Sequence, residues 1–248
     1  MEWWYSVIEA KRLSKVYGHV VALKDFDFVM QSNEVCLLLG PNGSGKSTFI
    51  DIVGGLRKAT SGKISVFNLD PWKRRRRLLG KLSVLSDGSR VPYMRTVGEF
   101  LGDTLEIVDE DEGYLRELCK RLEVDFLDMR GFELSAGMQK KVLLIAALLG
   151  HPKMVVLDEP FVSLDEKSRR VIVDIIMERK EEGLGTLVST HNPFIFNTVA
   201  ERVDRIYVIQ NGLKLFEGTP EELAAYVKEE IIGLRLDLGY SRILSGEL

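Results

Sequence analysis

Val35-Cys36-Leu37-Leu38-Leu39-Gly40-Pro41-Asn42-Gly43-Ser44-Gly45-Lys46-Ser47-Thr48 is the stretch whose reading decides the fold. Five apolar residues in a row predict a buried strand. The next residues fit Gly-x-x-x-x-Gly-Lys-Ser without a gap, and Phe49-Ile50-Asp51-Ile52-Val53 reads as a helix. Strand, glycine-rich loop and helix form the setting that a phosphate-binding loop requires. Glycines let successive backbone N–H groups turn inward around an anion, and the helix N-terminus adds its partial positive charge. Gly40, Pro41, Asn42, Gly43, Ser44, Gly45, Lys46, Ser47 and Thr48 are therefore the candidate phosphate cradle. Lys46 is expected at the β- and γ-phosphates of a nucleoside triphosphate such as ATP, and the Ser47 hydroxyl at Mg2+.

Working outward, Val7 to Leu13, Val20 to Met30 and Asn33 to Leu39 read as strands split by Gly18 and Ser32-Asn33. Lys63 to Phe67 alternates like a strand, and Lys81 to Leu85 is a short apolar segment. Helical spacing covers Thr96 to Ile107, Glu112 to Leu122, Met138 to Leu149 and Glu166 to Lys180. Lys153 to Leu157 and Thr186 to Ser189 read as buried strands, and Asn211-Gly212 joins two final strands as a hairpin turn. Strands alternating with helices predict an α/β fold with a mostly parallel sheet and an N-terminal antiparallel β region. The helix-rich residues from about 90 to 150 read as an inserted subdomain within a single domain spanning 1–248.

Composition excludes several classes. With 34 Lys and Arg against 37 Asp and Glu, the net charge of −3 argues against a protein that coats nucleic acid. Cys36 and Cys119 lack metal-site spacing and read as buried free thiols in a reducing cytosol. Met1-Glu2-Trp3-Trp4-Tyr5 lacks the layout of a secretory signal, and no apolar run reaches the roughly 20 residues that span a bilayer. The expectation is a soluble cytoplasmic chain that reaches a membrane only by docking on its cytoplasmic face.

Val155-Val156-Leu157-Asp158-Glu159-Pro160 is an apolar strand ending in two carboxylates. In a nucleotide fold the first, Asp158, is placed for Mg2+ and the second, Glu159, to orient or deprotonate the attacking water. Leu134-Ser135-Ala136-Gly137-Met138-Gln139-Lys140-Lys141 opens a helix between the loop and that strand. With these motifs the chain resembles ABC-type ATPases, the nucleotide-binding subunits of ABC transporters, from about Val7 to Leu223. The resemblance implies that Ser135 and Gly137 touch the γ-phosphate held by a second, similar subunit. It also implies that Tyr17 stacks on adenine and that Ser163-Leu164-Asp165 crosses a dimer seam. By the same resemblance, His191 hydrogen-bonds the γ-phosphate.

Asp87 departs from the family pattern, and one charge run stands apart. Asp87 stands where the family has a glutamine that contacts Mg2+ and water, and reads either as a metal contact or as a loop residue. Lys73-Arg74-Arg75-Arg76-Arg77 reads either as a solvated helix face or as a contact with lipid headgroups or an acidic partner loop. The resemblance implies an ATP- and Mg2+-dependent hydrolase that works as a nucleotide-sandwich dimer on a transmembrane permease. The alternative is a soluble ABC ATPase serving assembly of the iron–sulphur type.

Overall fold

The computed structural model describes residues 6–109, 112–191 and 202–233; the N-terminal Met1–Tyr5 read above lies outside them. In chain order the strands are β1 (Ser6–Tyr17), β2 (Val20–Gln31), β3 (Val35–Leu39), β4 (Ser61–Val66), β5 (Leu82–Leu85), β6 (Met154–Asp158), β7 (Gly185–Thr190), β8 (Arg205–Gln210) and β9 (Leu213–Gly218). The helices are α1 (Lys46–Val53), α2 (Pro71–Arg74), α3 (Val97–Val108), α4 (Glu112–Leu122), α5 (Ala136–Leu148), α6 (Glu166–Glu181) and α7 (Pro220–Gly233).

The strands form two sheets. A three-stranded antiparallel sheet runs β2-β1-β4, and a six-stranded sheet runs β5-β6-β7-β3-β8-β9. The larger sheet is parallel from β5 to β8, and β9 closes its edge antiparallel to β8. This is the α/β architecture expected from the sequence.

All five residues of β3 are buried, because both faces of the sheet are covered. Strand side chains alternate between faces. Val35, Leu37 and Leu39 therefore enter one core, with α5, α6 and the helices between β5 and β6. Cys36 and Leu38 enter the other, with α1 and the antiparallel sheet. β6 divides in the same way: Val155 and Leu157 face the first core, Met154 and Val156 the second.

Local boundaries follow local chemistry. β4 begins at Ser61 and stops at Val66, so Phe67 is not part of it. Phe67 and Asn68 take φ of 48° and 60°, and Val66 and Leu69 exchange backbone hydrogen bonds of 2.8 and 2.9 Å across the turn they make. α5 begins two residues before Met138 because the Ser135 side chain accepts from the Met138 N–H at 3.2 Å, an N-cap. Thr96 and Glu99 form a reciprocal capping box that starts α3. Of the two cysteines expected to be buried, Cys36 is, whereas Cys119 is only half-buried. No helix among the described residues is long and apolar enough to cross a membrane.

Tyr207 ties the two sheets together. It lies fully buried on β8, donates its hydroxyl to the Val29 carbonyl at 2.6 Å and accepts from the Val29 N–H at 3.2 Å. Burial raises its pKa, so it stays a neutral donor. Tyr207→Phe keeps the ring but strips both bonds from β2. The expected loss is roughly 1–2 kcal/mol of stability, read as a lower urea midpoint with an unchanged slope. An unchanged midpoint would show that the hydroxyl does not couple the sheets.

Candidate active site

Because β3, β6 and β7 are parallel neighbours, their carboxyl ends converge, and ligands in such sheets bind there. The pairs Leu39–Thr190 and Asp158–Ser189 fix how the three ends line up. The loop after β3 is held to β7 by the Gly40 N–H donating to the Thr190 carbonyl at 3.3 Å. At Gly45, φ is 113° and an added Cβ would lie 2.4 Å from the Ala22 carbonyl oxygen, so only glycine fits.

Nothing in the sequence signals the brace behind this loop. The β8–β9 hairpin turn, read correctly at Asn211-Gly212, docks on the phosphate loop. Gly212 donates its N–H to the Ser44 carbonyl at 2.8 Å and accepts from the Lys24 N–H at 2.9 Å. The turn thus links the loop to the antiparallel sheet through main-chain bonds that no side-chain pattern encodes.

Lys46 is almost fully buried at the start of α1. Its ammonium donates to the carbonyls of Gly40 at 2.8 Å and Pro41 at 3.1 Å and lies 3.6 Å from Glu159 Oε1. Burial lowers its pKa, while the Glu159 and Asp158 carboxylates oppose that shift. A cation held on carbonyl oxygens can turn to a phosphate, a stronger acceptor, without crossing water.

Across from it, Asp158 is completely buried. Its Oδ1 accepts from the Ser189 hydroxyl, and its Oδ2 has no partner. Glu159 sits at φ 49°, an uncommon conformation for a side chain of this size. The Glu159 N–H is held by the Ser189 carbonyl at 3.2 Å and hydroxyl at 3.1 Å. Glu159 Oε1 meets His191 Nδ1 at 2.8 Å, while Oε2 is buried without a partner. The Ser44 hydroxyl in the loop is likewise buried and unpartnered. Unmet buried oxygens are costly. A divalent ion at Asp158, a polarised water at Glu159 and a phosphate at Ser44 would each complete one, so the donor set fits MgATP.

Ser47, Asp51, Asp87 and Asp158 line one cleft of about 480 Å3. This places Asp87 in the same cleft as both expected metal ligands. Among the described residues, no three His, Cys, Asp or Glu side chains converge on one point. An ion held by Ser47 and Asp158 would therefore need further oxygens from phosphate and water. Arg57 joins this cleft to Tyr17: it lines the cleft, binds Asp51 at 2.7 Å and lies 5.6 Å from the Tyr17 ring centroid. The ring is partly exposed at the end of β1.

Ser135 and Gly137 do not line that cleft. Within one chain Ser135 caps α5, and Gly137 packs on the loop before α6: a Cβ there would lie 2.6 Å from the Ser163 carbonyl oxygen. Lys141 pairs with Asp165 at 3.4 Å across the same contact. Lys140, which the sequence reading passed over, is partly buried, and burial lowers its pKa against the opposing fields of Asp87, Asp158 and Glu159. Only tertiary placement reveals a cation on α5 that feels all three carboxylates.

Fold and site together define a phosphate-loop nucleoside triphosphatase. Residues 23–162 match the family model described as ABC transporter, and the chain belongs to that family. It is 31% identical over 247 residues to the phosphonates import ATP-binding protein PhnC of Hyphomonas neptunium, with 91% of this chain and 92% of that one covered. It is also 31% identical over 241 residues to the lipopolysaccharide export ATP-binding protein LptB of Escherichia coli, covering 92% of this chain and 98% of that one. The solved ATP-binding subunit of an ABC transporter superposes with a TM-score of 0.81 at 27% identity, covering 98% of this chain and 99% of that one. A dimeric, post-hydrolysis ATP-binding cassette bound to ADP and Pi superposes with a TM-score of 0.72 at 25% identity, covering 86% of this chain and 98% of that one. ATP binding and hydrolysis are the chemistry of the chain.

The shared cleft yields a test for Asp87. Asp87→Asn is expected to raise the Mg2+ concentration for half-maximal ATPase activity roughly tenfold. Superimposable Mg2+ titrations for the two proteins would make Asp87 a loop residue without a metal role.

Proposed function

We propose that this chain powers a transmembrane permease from its cytoplasmic face, with two copies, or this chain and a homologue, closing head to tail on two MgATP molecules. The buried, unpartnered oxygens of Asp158 and Glu159 opposite Lys46 carry the reading. In one subunit the loop N–H groups, Lys46 and Ser44 hold the phosphates, and Tyr17 offers its partly exposed ring to the adenine. Ser47 and Asp158 would hold Mg2+, which neutralises charge on the β- and γ-phosphates.

Glu159 Oε2 faces the attacking water and takes its proton. His191, already oriented by Glu159 Oε1, donates to the γ-phosphate and spreads the charge that builds on its oxygens. Ser135 and Gly137 of the second subunit present the N-terminus of α5 to the same phosphate, so binding is complete only in the dimer. Loss of the γ-phosphate removes that link, and the seam opens.

The relatives support transport over a role in iron–sulphur assembly. Those named above include an import subunit and an export subunit, each matched over nearly its full length. That pair supports neither direction over the other.

Glu159→Gln keeps the shape of the side chain and removes the base. It is expected to retain ATP binding, to lower turnover by at least about 100-fold and to accumulate as an ATP-bound dimer in light scattering. Ser135→Arg in that background should restore the monomer by placing bulk and charge in the seam. Equal mass with and without MgATP in the Glu159→Gln protein contradicts the sandwich; wild-type turnover removes Glu159 from the mechanism.

A further inference from the structure

Between Pro71 and Ser86 the chain carries six cations, Lys73, Arg74, Arg75, Arg76, Arg77 and Lys81, and no carboxylate, within a protein of net charge −3. The structure fixes this segment firmly. Pro71 and Leu78 are buried anchors at its two ends, and Asp70 caps α2 by accepting from the Lys73 N–H at 3.1 Å. Between the anchors, residues 72–77 are all exposed.

Lys73 pairs with Asp70 at 3.5 Å, whereas Arg74, Arg75, Arg76 and Arg77 have no ion-pair partner among the described residues. Four adjacent arginines on a short helical turn repel one another, and a solvated helix face ordinarily relieves this with interspersed carboxylates. Trp72, 48% exposed, and Leu79, 66% exposed, flank the arginines. All of them line one open concavity of about 650 Å3. A neighbouring concavity of about 590 Å3 shares Trp72 and Lys73 and adds Lys11, Lys58 and Lys63, together with Glu9 and Asp70.

We propose that the exposed segment Trp72–Leu79 binds the anionic headgroups of a bilayer surface. Arginines pair with phosphate oxygens two bonds at a time. Tryptophan and leucine beside them suit the boundary between headgroup and acyl chain, where an amphipathic ring is favoured. An acidic protein surface would satisfy the charge, but the headgroup–acyl boundary also takes up a flanking Trp and Leu at the same depth. None of the residues Trp72 to Leu79 lines the nucleotide cleft; Arg57 lines both that cleft and the neighbouring concavity.

The test is co-sedimentation of the full chain, without permease or nucleotide, with vesicles of phosphatidylcholine alone or mixed with phosphatidylglycerol. Binding is expected only to the mixed vesicles and should weaken steeply as salt rises. Replacing Arg74, Arg75, Arg76 and Arg77 with Ser should weaken it on the order of 1000-fold at low salt. ATPase activity of that variant, expected at the wild-type level, reports that it is folded. Trp72→Ala should weaken the binding that remains at high salt. Lys167→Ser, removing an exposed cation on α6, should change nothing. Equal binding to both vesicle types, full binding by the four-serine variant, or binding to poly-glutamate without binding to the mixed vesicles would each overturn the proposal. None of these outcomes bears on the transport reading, because no permease or hydrolysis enters the assay.

Discussion

Two carboxylate oxygens, Asp158 Oδ2 and Glu159 Oε2, are buried at the end of β6 with nothing to bind. Few groups are more expensive to bury than an ionised carboxylate. The fold tolerates the pair because everything around it offsets part of the cost. Ser189 donates to Asp158 and, through its hydroxyl and carbonyl, holds the Glu159 N–H. His191 takes one Glu159 oxygen at 2.8 Å, and the Lys46 ammonium stands 3.6 Å from that same oxygen. These partners come from the end of β7, which pairs directly with β6, and from the phosphate loop after β3, which pairs with β7 on its other side. What they leave unmet is what the proposed metal ion and water would complete. The site trades local stability for function, as strained and under-satisfied centres do.

The same economy explains the loop. A phosphate cradle turns N–H groups toward its ligand, so the loop that carries them needs support from its other side. The loop is held by Thr190 at Gly40 and by Gly212 at Ser44. Gly212 in turn accepts from the Lys24 N–H of β2, so the antiparallel sheet supports the loop from behind. On the other side of the site, Gly137 rests on the Ser163 carbonyl, and Lys141 bridges to Asp165. The start of α5 and the loop before α6 therefore form one packed unit.

Sequence revealed the parts whose chemistry is local. The phosphate loop, the paired carboxylates and His191 after β7 were legible because spacing along the chain is itself the constraint. The two-faced sheet was legible because β3 and β6 read as unbroken apolar runs. Tertiary relations were not. Nothing in Asn211-Gly212 beyond turn chemistry says which loop it braces, and Lys140 looks like one more polar residue on a helix until packing sets it near three carboxylates. The end of β4 slipped by one residue because Phe67 is a good strand former forced by tertiary context into a left-handed turn.

The central claim is that the unmet Asp158 oxygen is completed by a divalent ion only when ATP is present. Thermal unfolding of wild type and Asp158→Asn, each with ATP plus EDTA and with ATP plus Mg2+, tests it most directly. The account predicts that Mg2+ adds several degrees to the ATP-bound wild type and nothing measurable to a folded Asp158→Asn protein. Equal Mg2+-dependent gains in the two proteins would contradict it.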